Sequence, residues 1–139
     1  MTEFQQYTLL SRKEFDRIVV SIYEESLVHG YIKPNEFVEL PDVLEALEYI
    51  QSFGTDKKYM NLFEFGEHGN VSDEVREWAA KSEANQTIAD AMVLNSLAQK
   101  LVMNFYLKFH KPQSPTKAFR HIEEAMKWLE GHKNKKPTA

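Results

Sequence analysis

The chain of 139 residues contains no cysteine, which removes disulfide frames, thiolate metal sites and cysteine nucleophiles together. It also lacks a long apolar run: no uninterrupted stretch approaches the roughly 20 residues a membrane-spanning helix needs. The opening MTEFQQYTLLSRKEF has neither the basic start nor the apolar segment of a secretory signal. The expectation is therefore a cytoplasmic protein with no membrane span. Charge of one sign is scarce as well. Seventeen Lys and Arg against 21 Asp and Glu leave a net charge of −4, which argues against a nucleic-acid or anionic-membrane surface. The histidines at 29, 68, 110, 121 and 132 form no His-x-x-x-His or similar ligand pair, so no metal is expected. Glycine-rich phosphate loops and nucleophile elbows are missing too, and no cofactor is implied. A non-catalytic protein is the expectation.

What is present is an ordinary globular mixture, 42% hydrophobic and 27% charged, in a chain long enough for one core. Residues 1–14 read as an amino-terminal arm or edge strand, 15–130 as a single domain, and 131–139 as a disordered basic tail. Arg17 to Tyr23 and Leu27 to Ile32 are close enough in sequence to pair only as an antiparallel hairpin. Lys33 to Leu40 reads as a loop. A helix follows from Pro41, with Asp42 and Glu45 in its first turn and Gly54 suited to a left-handed stop. Tyr59 to Phe65 (YMNLFEF) reads as an interior strand, and the loop GEHGNVS leads to a helix capped by Ser72. Thr116 to Phe119 suits a short last strand, and Ile122, Ala125, Met126 and Leu129 mark a final helix that Gly131 ends.

The stretch from Thr87 to His110 (TIADAMVLNSLAQKLVMNFYLKFH) organises the rest. Up to Leu94 it is apolar on both sides of a period-two pattern, as a central strand covered by helices requires. That pattern puts Asp90 on the side of Ile88 and Met92. After Asn95 and Ser96 the period becomes 3.6. Leu97, Leu101 and Phe105, with Ala98, Val102 and Phe109, then define the arc expected to face the core. Met103, Tyr106 and Leu107 form an apolar strip on the opposite, outward side, which suggests a surface for a second copy or another protein. Strands and helices alternating after a hairpin imply a mixed sheet, parallel in its later strands.

The run TIADAMVLNSLAQKLVMNFYLKFHKPQSPTKAF, with the later EEAMKWL, resembles an uncharacterised bacterial family common in Bacteroidetes and described as related to STAS (SpoIIAA-like) domains. The likeness covers Arg17 to Leu129. It implies an α/β STAS-like fold, a mixed four- to five-stranded sheet with an opening hairpin and about four helices. It also implies a regulatory or protein-interaction role; self-association as a homodimer is expected from the strip of Met103, Tyr106 and Leu107. Phospho-switching STAS proteins share an Asp-Ser-Ser-Gly motif where GEHGNVS stands here, and this chain lacks it. Ser72 is the hydroxyl a phosphate would modify there; an ordinary helix cap is the simpler role.

Three polar residues deserve weighing as a possible site. Glu64 and His68, with Glu67, sit where open α/β sheets bind ligands, although a solvated loop is the simpler explanation, because a usable acid–base pair needs a third positioning group that the sequence does not offer. Asp90 interrupts an apolar strand. A carboxylate buried there alone is costly, so it needs a partner, an edge or a pocket. Two alternatives to the interaction module follow. One is a small apolar or lipid-like ligand held between sheet and helices, as folds related to the resembled family do, with Phe63, Phe65, Trp78, Phe105, Phe109 and Trp128 as lining. The other, more remote, is a cryptic hydrolase built on Glu64, His68 or Asp90.

Overall fold

The computed structural model describes residues 4–81, 86–109 and 113–134. Its spine is a six-stranded sheet made of β1 (Leu9–Glu14), β2 (Ile18–Tyr23), β3 (Leu27–Ile32), β5 (Tyr59–Phe65), β7 (Thr87–Val93) and β8 (Thr116–Phe119), in the order β1-β2-β3-β5-β7-β8. The first three strands pair antiparallel, and β3, β5, β7 and β8 pair parallel. The hairpin turn places Ser26 at φ 65. The segment before residue 15 supplies the outer strand β1, and Phe4 and Tyr7 pack against Tyr23 on the neighbouring surface.

Two elements read as loops contain short strands. β4 (Phe37–Val38) and β6 (Asn70–Val71) pair parallel as a separate ribbon. Val38 and Val71 are buried by it, a two-residue signal too short for periodicity to reveal. Close packing at its base depends on Gly66. A Cβ there would lie 2.8 Å from both the Ile32 carbonyl oxygen and the Pro34 nitrogen, well inside contact distance, so only glycine fits.

Among the described residues four helices cover the sheet: α1 (Leu40–Gln51), α2 (Asp73–Lys81), α3 (Leu97–Phe109) and α4 (Ile122–Lys133). The α1 start carries Pro41, and the Glu39 N–H donates to the Asp42 carboxylate at 2.9 Å, which holds the first turn. Arg17 ties that turn to the hairpin through Asp42 at 3.1 Å. Gly54 does take a positive φ of 117, but beyond Ser52, which closes the helix in αR geometry. Gly131 corrects an expectation: it does not stop the last helix but lies inside α4, which runs on to an Asn134 cap. Of the tail read as disordered, residues 135–139 lie outside the described residues.

The sheet divides the core in two. On one surface α4 packs over β5 and β7, burying Leu27, Met60, Leu62 and Leu129 completely. Ala89, Ala91 and Ala125 are fully buried there as well. These small side chains let helix and strand approach closely, which is the physical reason for the alanines of β7. On the other surface Ile18, Val20, Val28, Ile32 and Phe65 lie beneath α1, α2 and α3. That side is packed less completely, and the consequence is a cavity.

Candidate functional site

A cavity of about 510 Å³ separates the sheet from its three-helix cover, within the roughly 300–1,000 Å³ of small-molecule sites. Its floor comes from alternate residues of the strands: Val28, Gly30 and Ile32 of β3, and Asn61, Phe63 and Phe65 of β5. Val43, Ala46, Leu47 and Ile50 of α1 close one side, and Val75, Trp78 and Ala79 of α2 another. Met103, Tyr106 and Leu107 of α3 complete the roof. The space exists because small residues stand where large ones would meet. Gly30 pairs with Phe63 across the β3–β5 ladder, so the phenyl ring lies over bare backbone. Phe63 remains 36% exposed although its strand is interior.

Polar groups gather at one part of this apolar wall. Asp90 Oδ1 accepts from Asn61 Nδ2 at 2.9 Å, and Oδ2 accepts from Ser114 Oγ at 3.0 Å. Asn61 Nδ2 also reaches Thr87 Oγ1 at 3.3 Å, and Thr116 Oγ1 donates to the Ser114 carbonyl at 3.0 Å. Burial pushes the Asp90 carboxyl above the usual carboxylate range, and the two donors only partly oppose this. No cation among the described residues lies within ion-pair distance of it. The other charge lining the cavity, Arg76, is already engaged with Asp73 and Asn70, each at 2.8 Å.

An irregularity in β7 creates the cluster. Tyr59 pairs with Thr87, but the next residue, Met60, pairs with Ala89, so Ile88 is an extra residue. The bulge puts Thr87 and Asp90 on the cavity side together, while Ile88 turns to the α4 side. The even alternation that grouped Asp90 with Ile88 fails for this reason; the grouping with Met92 stands.

Glu64 and His68 are not brought to Asp90. Alternation along β5 turns Glu64 to the opposite surface, where its Oε1 lies 2.9 Å from His29 Nε2. His68 sits in the exposed loop at φ 61, with Glu67 at 3.7 Å. A second, polar cavity of about 240 Å³ does lie at the carboxyl ends of the strands, where Glu64 joins Asn95, Arg120, His121 and Glu123. No three acidic or histidine side chains among the described residues are grouped to hold a metal ion. Ser72 acts as a helix cap: its Oγ accepts from the Val75 N–H at 3.2 Å.

The helix α3 is rotated relative to the sequence reading. Met103 is 7% exposed, and Tyr106 and Leu107 pack against the core, so this strip is no outward surface. Leu97, Leu101, Val102 and Phe105, read as core, are exposed instead, Leu101 at 60% and Phe105 at 66%. Of the aromatics proposed as lining, Phe63, Phe65 and Trp78 line the cavity, whereas Trp128 packs with Phe119 on the α4 side. The Phe109 side chain lies outside the described residues. Asn61, Ser114 and Gly30 escaped notice in the sequence. An asparagine midway along an interior strand was the available signal for the first.

No helix among the described residues is long and apolar enough to cross a membrane. No curated protein matches the sequence. Among solved structures, an uncharacterised protein of the DUF3478 family from Shewanella loihica PV-4, with a SpoIIAA-like fold, is similar at a TM-score of 0.53. Identity is 10%, over 88% of this chain and 94% of that one, and the likeness carries the SpoIIAA-like fold alone. Residues 21–133 match the family described as a domain of unknown function, DUF7793, and the chain belongs to that family.

Proposed function

We propose that this domain is a non-catalytic cytoplasmic binding module whose cavity holds a small, largely apolar ligand. The observation that carries the reading is Phe63. A phenylalanine on an interior strand, facing its own helix layer, is normally sealed, yet this one stays 36% exposed over a space of about 510 Å³. The SpoIIAA-like fold supports a regulatory use, in which the ligand alters the helix layer that a partner meets. Catalysis is not supported, because among the described residues the hydrogen-bond partners of the carboxylate in the cavity are Asn61 and Ser114, neither of them an acid–base group.

The test uses the uncharged apolar fluorescent probe N-phenyl-1-naphthylamine with the full chain. Gly30 has an ordinary negative-φ backbone, and an added Cβ would first meet the Phe63 ring at 3.4 Å. Gly30→Val therefore fills the cavity without straining the strand and improves local β propensity. Probe affinity should fall about tenfold while the urea midpoint holds or rises. Wild type that takes up no probe, or a variant that binds it equally, overturns the reading.

Self-association is a second reading, favoured by the exposed apolar side of α3, where Leu97, Leu101, Val102 and Phe105 lie together. Patches of that kind on a soluble domain are commonly covered by another chain.

A further inference from the structure

The cavity is apolar almost throughout and yet contains one carboxylate with no counter-charge among the described residues. Asp90 uses two of its lone-pair directions on Asn61 and Ser114, and a carboxylate has about four. Asp90, Asn61 and Thr116 all form part of the cavity wall, so a ligand in the cavity lies beside that remaining capacity. A ligand that brought a cation there would gain a charge-assisted hydrogen bond away from bulk water, the strong kind. It would also relieve the cost of holding the charge unpaired. A ligand with a carboxylate head would meet repulsion at the same place. Arg76 is a weaker draw for an anion, because its charge is already paired with Asp73 at 2.8 Å.

We propose that the ligand is an amphiphilic amine, its ammonium head paired with Asp90 and its apolar body lying along Phe63 toward Met103 and Leu107. Asn61 and Ser114 are positioning residues that fix the carboxylate for this contact. The inference rests on the cavity reading above and deepens it by naming the head group.

Three probes of one chain length, decylamine, decanol and decanoate, separate the two claims. Each is titrated calorimetrically into the full chain at neutral pH, into wild type and into Asp90→Asn. Decylamine is expected to bind about tenfold tighter than decanol, the worth of one charge-assisted contact, with decanoate weakest. In Asp90→Asn the amine and the alcohol should bind alike. Ser114→Ala, at a half-buried loop position, should narrow the amine preference without removing it. Amine and alcohol binding equally to wild type overturns the head-group assignment while the cavity reading survives. Decanoate binding tightest, or a preference that persists in Asp90→Asn, overturns it as well. If none of the three binds, both readings fall.

Discussion

A carboxylate on an interior strand ordinarily brings a cation with it, because desolvation costs several kcal/mol that a neutral donor repays only in part. Asp90 has Asn61 and Ser114 but no cation among the described residues, and its carboxyl is held above the usual range chiefly by burial. The linkage to stability has a definite sign. The unfolded side chain releases its proton near pH 3.9, in round figures, and the folded one at a higher pH. Between those values the native state holds the extra proton, so stability falls as pH rises through the window, and the full cost is present above it. Asp90→Asn keeps an acceptor for Asn61 and a partner for Ser114 but removes the charge. At neutral pH its urea midpoint should equal or exceed that of wild type, with the gap closing as the pH approaches about 4. A variant clearly less stable than wild type at neutral pH would mean that the charge is compensated in a way these contacts do not provide.

Among the elements, α3 decides most. Its thirteen residues carry apolar side chains around most of the circumference (LAQKLVMNFYLKF), so helical periodicity alone defines two rival apolar arcs. Cross-layer fit decides between them: Met103, Tyr106 and Leu107 fill the roof of the cavity beside α2. Met103→Ala should therefore cost about 2–4 kcal/mol, in the range for buried methionine. Leu101→Glu combined with Phe105→Glu should stay within about 0.5 kcal/mol of wild type, as surface changes do. In sedimentation the same double variant should run at a lower mass than wild type if this side of the helix joins two copies; equal masses end the self-association reading. What the sequence made legible follows the same logic. The hairpin and the β5 and β7 strands were readable because their patterns have a single solution. The orientation of α3 was not, because it depends on a partner layer. The side chosen by Asp90 was hidden by one inserted residue, Ile88, and the β4–β6 ribbon by its shortness.

At the scale of the whole molecule, the two surfaces of the sheet are unequal. The α4 side is sealed, with Leu62, Ala89, Ala91, Ala125 and Leu129 all at zero exposure, and the amino-terminal arm fastens to it. Tyr7 and Gln6 both donate to the Glu130 carboxylate, Gln6 Nε2 at 3.0 Å, and Thr8 binds Glu25 through its N–H at 2.7 Å. The opposite side has a cavity under three helices that touch one another sparingly. Local opening follows buried apolar contact, so stability should be distributed unevenly across the layers. In hydrogen exchange, the amides of β5, β7 and α4 should open only with global unfolding, whereas α1, α2 and α3 should exchange through smaller openings at lower free energy. A ligand bound between sheet and roof stabilises only states in which the roof is closed. At a hundredfold excess over its Kd it contributes about 2.7 kcal/mol, and that protection should appear first in α1–α3. Decylamine that protects α4 and leaves the roof unchanged would place binding outside the cavity and remove the basis of the functional reading.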